Sequence, residues 1–291
     1  MATIGVLGLG LIGGYAAEVF LAAGHRVLAV RRPSTEDFPS RGGELADTPR
    51  DLAAASEVVV SALPDDAAIR AAMLGPDGIV AGAHAGLVVV DMNTAPVALK
   101  EALAAAIAPT GAGIVDAPVS GSRPMLAAGR GVIMASGDAA AVERVRPLLE
   151  LVAPKTIHVG DYGTGIKLKL VINMLVGAHT AAIGEAMVFG HAMGLDSQTL
   201  LDVVGPSVGG SMGFPFRVPV MAARRWQPPT APARLLYKDL KIIEAEVAAL
   251  GLPAPYARLA TALYREIEAA GRLEDDLSVV YEFLEAKPKP V

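Results

Sequence analysis

Apolar residues come first in short runs and later in long periodic faces. Thr3–Leu7 (TIGVL), Arg26–Val30 (RVLAV), 57–63 (EVVVSAL), 87–91 (LVVVD), Gly113–Asp116, 132–135 and 156–159 each read as a strand. Between them lie helical stretches: one from the glycines after residue 7 to about Ala23, a short one opened by Thr48-Pro49, one begun at Pro64-Asp65-Asp66, and 96–107 and 138–151. Gly24 is a plausible stop for the first. Strands alternating with helices at this spacing mean βαβ units and a mostly parallel sheet.

The pattern changes at Gly160-Asp-Tyr-Gly. Beyond it only helical periodicity remains, over about 166–193, 197–204, 213–224, 234–250, 255–270 and 276–286. Two domains are therefore expected, 1–161 and 162–291. The segment 226–233 (WQPPTAPA) reads as an exposed connection, and the tail 287–291 (KPKPV) as a frayed end. The stretch 166–193 runs about 28 residues without proline, long enough for a beam between domains. One of its faces carries Lys169, Asn173, Gly177 or Thr180, and Gly184. Lys169 and Asn173 are one turn apart, which suits either a polar helix edge or a catalytic lysine with a polar partner. Lys167 faces about 200° away from Lys169.

Composition narrows the options. Of 291 residues 53% are hydrophobic, enough for a real core, and the formal net charge of −5 with no basic run argues against a nucleic-acid surface. Without cysteine there is no disulfide or thiolate metal site, and the five histidines show no ligand spacing, so no metal is expected. A reducing cytoplasm fits. The first residues lack the basic flank of a signal peptide, and Lys167, Lys169, Asn173, His179 and Glu185 interrupt the long apolar stretch, so no membrane span is read.

Gly8-x-Gly10-x-x-Gly13 lies between a strand and a helix. The first glycine allows the tight turn, the second lets a pyrophosphate approach, and the third lets helix and strand pack, which reads as a dinucleotide site. The end of the second strand would carry an acid for NAD; here it reads Arg31-Arg32-Pro33-Ser34, two guanidiniums suited to a 2′-phosphate, so NADP(H) is expected over NAD(H). Asp116-Ala-Pro-Val-Ser120-Gly121-Ser122 follows a strand end, where ligands bind in open α/β sheets.

Together GLGLIG (8–13), LP (63–64), DMNT (91–94), DAPVSG (116–121), GTGIKLKLVIN (163–173) and KDL (238–240) resemble the β-hydroxyacid dehydrogenase family over nearly the whole chain. The resemblance implies an α/β Rossmann-type doubly wound N-terminal domain followed by an all-α C-terminal domain, and a homodimer or higher homo-oligomer. It implies hydride transfer between a nicotinamide and a short semialdehyde or β-hydroxy acid. It puts Lys169 and Asn173 at the chemistry, and Ser120, Gly121, Ser122 and Lys238 at the substrate. Gly8, Gly10, Leu11, Ile12, Gly13, Arg31, Arg32, Leu63, Pro64, Asn93, Thr94 and Lys238 fall to the cofactor. In reduction Lys169 would donate to the growing oxyanion; Ser120 and Gly121 would bind the substrate carboxylate.

Four positions depart from the family pattern: Ser122 for a second glycine, Gly129-Arg130-Gly131 for Gly-Thr-Leu, Ile172 for the first of two asparagines, and Ala231 for a phenylalanine. The pocket wall changes while the catalytic positions stay. An imine reductase on the same fold ranks lower, since those enzymes often replace the lysine. A non-catalytic NADP-binding module ranks lower again, given Lys169, Asn173 and Ser120.

Overall fold

The computed structural model describes residues 1–287; of the expected frayed tail, 288–291 lie outside the described residues. The chain forms two compact units, 1–169 and 170–291.

The first unit is built from β1 (Thr3–Leu7), α1 (Leu11–Ala22), β2 (Arg26–Val30), β3 (Glu44–Ala46), α2 (Pro49–Ala54), β4 (Val58–Ser61), α3 (Asp66–Leu74), α4 (Ile79–Gly82), β5 (Val88–Asp91), α5 (Val97–Ile107), β6 (Gly113–Asp116), β7 (Val119–Ser120), α6 (Arg123–Ala127), β8 (Val132–Gly137), α7 (Ala139–Val152) and β9 (Lys155–His158). Its sheet runs β3-β2-β1-β4-β5-β6-β8-β7, with β9 beside β8. The strands from β3 to β6 are parallel, whereas β8 is antiparallel to β6 and β7. Short β3 and β7 are too brief to show as apolar runs in the sequence.

Alternation explains the layers. Ile4, Val6, Val27, Ala29, Val58, Val60, Val88 and Val90 turn to one face and pack with Ala16, Ala17 and Phe20 of α1 and Val142, Val145 and Leu149 of α7. Leu7, Leu28, Val30, Val59 and Val89 turn to the other, with Leu52 of α2, Ile69 and Met73 of α3, and Leu99 and Leu103 of α5. Burial on both faces is why these strands read as unbroken apolar runs. Each buried Val, Leu, Ile, Phe or Met among them contributes roughly 1.5–3 kcal/mol.

The long helix α8 (Thr164–Ala192) has 29 residues and carries the unit boundary between Lys169 and Leu170. The second unit continues with α9 (Ser197–Val204), α10 (Phe214–Ala222), α11 (Ala233–Ala249), α12 (Pro255–Ala269) and α13 (Val280–Glu285). Asn173, Gly177, Thr180 and Gly184 form a buried face of α8. A Cβ on Gly177 would lie 2.8 Å from Leu240 Cδ2, and one on Gly184 3.0 Å from Leu284 Cδ1, so the glycines let α11 and α13 approach. By length and hydropathy α8 could cross a membrane. Its packing against α11 and α13 and its buried Asn173 are those of a core helix.

Asp276 ties the loops of the second unit together. It is 1% exposed, and its Oδ2 accepts from Thr230 N at 2.8 Å and Thr230 Oγ1 at 2.6 Å. Its Oδ1 accepts from Ser278 N at 2.9 Å and lies 3.4 Å from Arg217 Nη1. Burial opposes the charge, but the bonds from Thr230 and Ser278 and the Arg217 charge outweigh it and hold the carboxyl below its ordinary value. A depressed pKa stabilises the fold above the unfolded value, about 3.9, and that contribution is lost as pH falls through the folded one. Asp276→Asn should therefore destabilise the protein by about 2–4 kcal/mol at pH 7. In urea titrations the gap from the parent should narrow below about pH 4.

Candidate functional site

The loops at the carboxyl ends of the parallel strands bring the candidate residues of the first unit together. Between β1 and α1, Gly8 has φ of +97°, and a Cβ there would sit 2.5 Å from Ala62 O. A Cβ on Gly13 would be 1.9 Å from Gly8 O, which makes glycine obligatory for helix-to-strand packing. Gly10 differs: a Cβ there meets nothing within 4 Å. Gly10 is also the N-cap of α1 and supplies no side-chain cap. The first-turn N–H groups of Leu11, Ile12 and Gly13 therefore suit an anion such as a pyrophosphate.

Beyond β2 lies a cavity of about 530 Å³ lined by Gly8, Val30, Arg32, Ser34, Thr35 and Asp47, among others. This volume suits part of a nucleotide. The two arginines separate. Arg32 lines the cavity, while Arg31 Nε is 2.9 Å from Asp47 Oδ1, a pair in open solvent. Such a pair is worth about 0–1 kcal/mol and yields readily to a competing anion. Asp47 had no signal in the sequence; it follows β3, which the apolar pattern does not reveal.

Two motifs thirty residues apart meet directly. Leu63 N–H donates to Asn93 Oδ1, and Asn93 Nδ2 donates to Ser61 Oγ at 2.8 Å and Asp91 Oδ1 at 2.6 Å. This fixes the Leu63-Pro64 turn against the Asn93-Thr94 loop. Thr94 is half-buried and engaged.

Ser120 forms β7 with Val119, Gly121 has φ of +145°, and Ser122 is the N-cap of α6. Asp116, at the end of β6, points to the start of α8. Its Oδ2 accepts from Ile166 N at 2.7 Å, and Ser136 Oγ accepts from Gly165 N at 3.0 Å. Burial pushes the Asp116 carboxyl up, against the pull of Lys100. Burial, then Asp91 and Asp116, push the nearby Tyr162 hydroxyl up as well, so it stays neutral. One turn into α8, Lys169 is half-buried and engaged, whereas Lys167 is exposed.

In the second unit Asn173 is 7% exposed and its Nδ2 donates to Asp239 Oδ2. Asp239 Oδ1 lies 2.8 Å from Lys238 Nζ. One buried carboxylate thus engages both candidate residues and orients the Asn173 amide, its Oδ1 being the end Asp239 does not hold. Asp239 was not singled out from sequence. The signal was an acid on a buried face of α11 shared with Leu236 and Ile243.

Residues 3–160 match the family described as the NAD binding domain of 6-phosphogluconate dehydrogenase. Residues 163–284 match the NAD-binding family of NADP-dependent 3-hydroxyisobutyrate dehydrogenase. The chain is 32% identical to an L-threonate dehydrogenase of Cupriavidus necator, over 95% of this chain and 94% of that one. It is 29% identical to a 2-(hydroxymethyl)glutarate dehydrogenase of Eubacterium barkeri, covering 95% and 93%. A 3-hydroxyisobutyrate dehydrogenase structure from Mycobacterium tuberculosis, solved with L-serine, superposes with a TM-score of 0.87 at 30% identity, over 98% and 100%. An imine reductase of Streptomyces aurantiacus shares the fold with a TM-score of 0.65 at 22% identity, over 97% and 99%.

The glycines make a paired test. Gly10→Ala should keep the parent's unfolding midpoint yet weaken NAD(P)H binding about tenfold or more, because its methyl fills the approach to the first-turn amides. Gly13→Ala should instead lower stability by about 1–3 kcal/mol through overpacking. Thermal melts and cofactor fluorescence titrations distinguish the two; a Gly10 variant with unchanged affinity would remove the anion-site assignment.

Proposed function

The chain belongs to the β-hydroxyacid dehydrogenase family, and from that premise we propose that it interconverts a short semialdehyde acid and its β-hydroxy acid, preferring NADP(H), with Lys169 as proton donor and acceptor. The observation that carries this reading is the start of α8. Its first turn is pinned to Asp116 and Ser136, and Lys169 follows Ile166 by three residues on the same helix. The lysine is thus held by the sheet edge that also supplies Ser120 and Gly121.

A bound nicotinamide supplies or accepts the hydride. The chain's own groups do the rest. Ser120 Oγ and the Gly121 N–H bind the substrate carboxylate. Lys169 Nζ donates a hydrogen bond and then its proton to the oxygen on which charge develops. Asn173 lies one turn on, with its amide oriented by Asp239, and steadies the ammonium or the substrate oxygen. Lys238 adds positive charge for an anionic substrate. Ser122 stands where the family pattern has a glycine and Ala231 where it has a phenylalanine, so both bear on which acid fits.

The cofactor preference rests on Arg32 and Ser34, which line the cavity. Arg31 adds a second guanidinium once a 2′-phosphate draws it from Asp47. Exposed Val171, Leu175, Phe189, Met193, Val203 and Met212 in the second unit favour a homodimer through helical surfaces, which sedimentation would show. The cysteine-free composition suits the cytoplasm.

The direct test is NADPH consumption with a panel of aldehyde acids and cyclic imines. Turnover of aldehyde acids supports the proposal. Turnover of imines alone makes it an imine reductase, and tight NADPH binding without turnover makes it a binding module. Lys169→Ala should lower turnover about 10²–10⁴-fold while NADPH affinity holds. Lys169→Arg should not restore it, because a guanidinium does not release its proton. Lys167→Ala should behave as the parent; a dead Lys167 variant beside an active Lys169 variant would reverse the assignment. Separately, Arg32→Ala should weaken NADPH by about 1.5–3 kcal/mol, roughly ten- to hundredfold, and leave NADH nearly unchanged. Arg31→Asp should favour NADH over NADPH. Equal use of both cofactors by the parent would sink the preference.

A further inference from the structure

Lys100 is a fully buried lysine that the chemistry above does not use. Its Nζ lies 2.8 Å from Asp116 Oδ1 and 2.9 Å from Asp91 Oδ2, and all three side chains are 0% exposed. The strand register explains the arrangement. Asp91 of β5 pairs directly with Asp116 of β6, so the two carboxylates leave adjacent parallel strands about 4.8 Å apart on the same face. Two buried carboxylates at that spacing repel, and Lys100, reaching down from α5, is the counter-charge between them. Burial alone would discharge Lys100, but Asp91 and Asp116 outweigh it and raise its pKa, so it stays an ammonium.

For packing alone, an apolar side chain would serve as well or better. What the cluster adds is what its carboxylates hold. Asp91 Oδ1 accepts from Asn93 N at 3.0 Å and Asn93 Nδ2 at 2.6 Å, and Asn93 Oδ1 receives the Leu63 N–H. Asp116 Oδ2 accepts from Ile166 N at 2.7 Å and from Ser136 Oγ at 3.2 Å. Gly165 N–H donates to that same Ser136 Oγ at 3.0 Å. The first-turn amides of α8 are therefore capped across the fold, by a carboxylate whose position depends on Lys100. Negative charge is also favoured there by the helix dipole.

We propose that Lys100 is the positioning residue of this site: through Asp116 it sets the first turn of α8, and hence Lys169, and through Asp91 and Asn93 it sets the Leu63-Pro64 turn. Cofactor loops and proton donor share one buried ionic anchor. The inference rests on the assignment of Lys169 above, so its test includes a readout independent of activity.

Asp91→Asn is the sharper variant. The amide keeps an oxygen for Asn93 but turns its NH₂ toward the Lys100 ammonium, donor against donor. One lysine then faces one carboxylate, so no buried charge is left without a counter-charge and the fold is expected to persist. The Gly165 and Ile166 amides at the start of α8 donate to Ser136 and Asp116, not to Asp91. A merely local role would leave the helix start unmoved, whereas a shared anchor shifts with Lys100. Hydrogen exchange of the Gly165 and Ile166 amides in the full chain should accelerate about tenfold, the loss of one net hydrogen bond, with α8 beyond Leu170 unchanged. With an aldehyde acid the parent reduces, kcat should fall about tenfold while KM for NADPH and for the aldehyde stays within about threefold. Lys100→Met should accelerate exchange at Leu63 as well as at Gly165 and Ile166; if that variant does not fold, Asp91→Asn decides alone. Unchanged exchange at Gly165 and Ile166 in folded Asp91→Asn overturns the proposal, as does an unchanged kcat or a KM that rises in step with the loss. A parent inactive on every substrate refutes the assignment of Lys169 instead, and the exchange readout then judges the anchor by itself.

Discussion

Two carboxylates side by side on adjacent parallel strands are the constraint from which the first unit's site is built. Asp91 and Asp116 stand in register, and Ser61 and Ser136 continue the same row on either side. The row ends the strands because both faces of the sheet are spent on apolar contact. Every polar function is left to the carboxyl edge, where chain leaves the sheet. Lys100 makes the row tolerable, and the polar atoms it leaves satisfied are the ones that hold neighbouring loops.

Helix starts carry the second theme. An α-helix exposes donors at its first turn, and the three most consequential starts here meet that need differently. The α1 start has Gly10 and no side-chain cap, so its donors are open to a ligand anion. The α3 start is capped locally, by Asp65 on Ala68 N. The α8 start is capped by residues far away in sequence, Asp116 and Ser136. The first leaves donors open, the second merely ends a loop, and the third fixes a helix whose sixth and seventh residues flank the boundary between the units.

Much of this was legible in the sequence, and the physics says why. Strands buried on both faces announce themselves as apolar runs, so the sheet and its crossovers were readable to within a residue or two. The glycine spacing was readable because Gly8 and Gly13 answer steric demands within the fold, while Gly10 leaves the helix start open. What could not be read is pairing between distant positions. Lys100 falls on the face of α5 that also carries Leu103 and Ile107, a charge where an apolar residue is expected, and that was the visible signal. Its partners depend on strand register, which no local pattern encodes. β3 and β7 are three and two residues long, too short for periodicity, and Asp47 was lost with β3. Arg31 and Arg32 looked equivalent as neighbours in sequence; their different surroundings appear only when the chain folds.

Asp239 shows how a second carboxylate is used differently. In the first unit two acids share one cation; here one acid engages both an amide and a cation, with Asn173 on one oxygen and Lys238 on the other. The consequence for Asn173 is orientation. An asparagine amide is nearly symmetric in shape, so packing alone cannot tell its oxygen from its nitrogen. A carboxylate accepts only, and it therefore selects the NH₂ end. That leaves the carbonyl oxygen as the end not held by Asp239, the group able to accept from a lysine ammonium or a substrate hydroxyl. Asp239 also places its second oxygen 2.8 Å from Lys238 Nζ, an ion pair between neighbours on α11. Polar order in each unit thus comes from acids that have more donors to satisfy than a single local partner, and from the rigid backbone that keeps those donors apart.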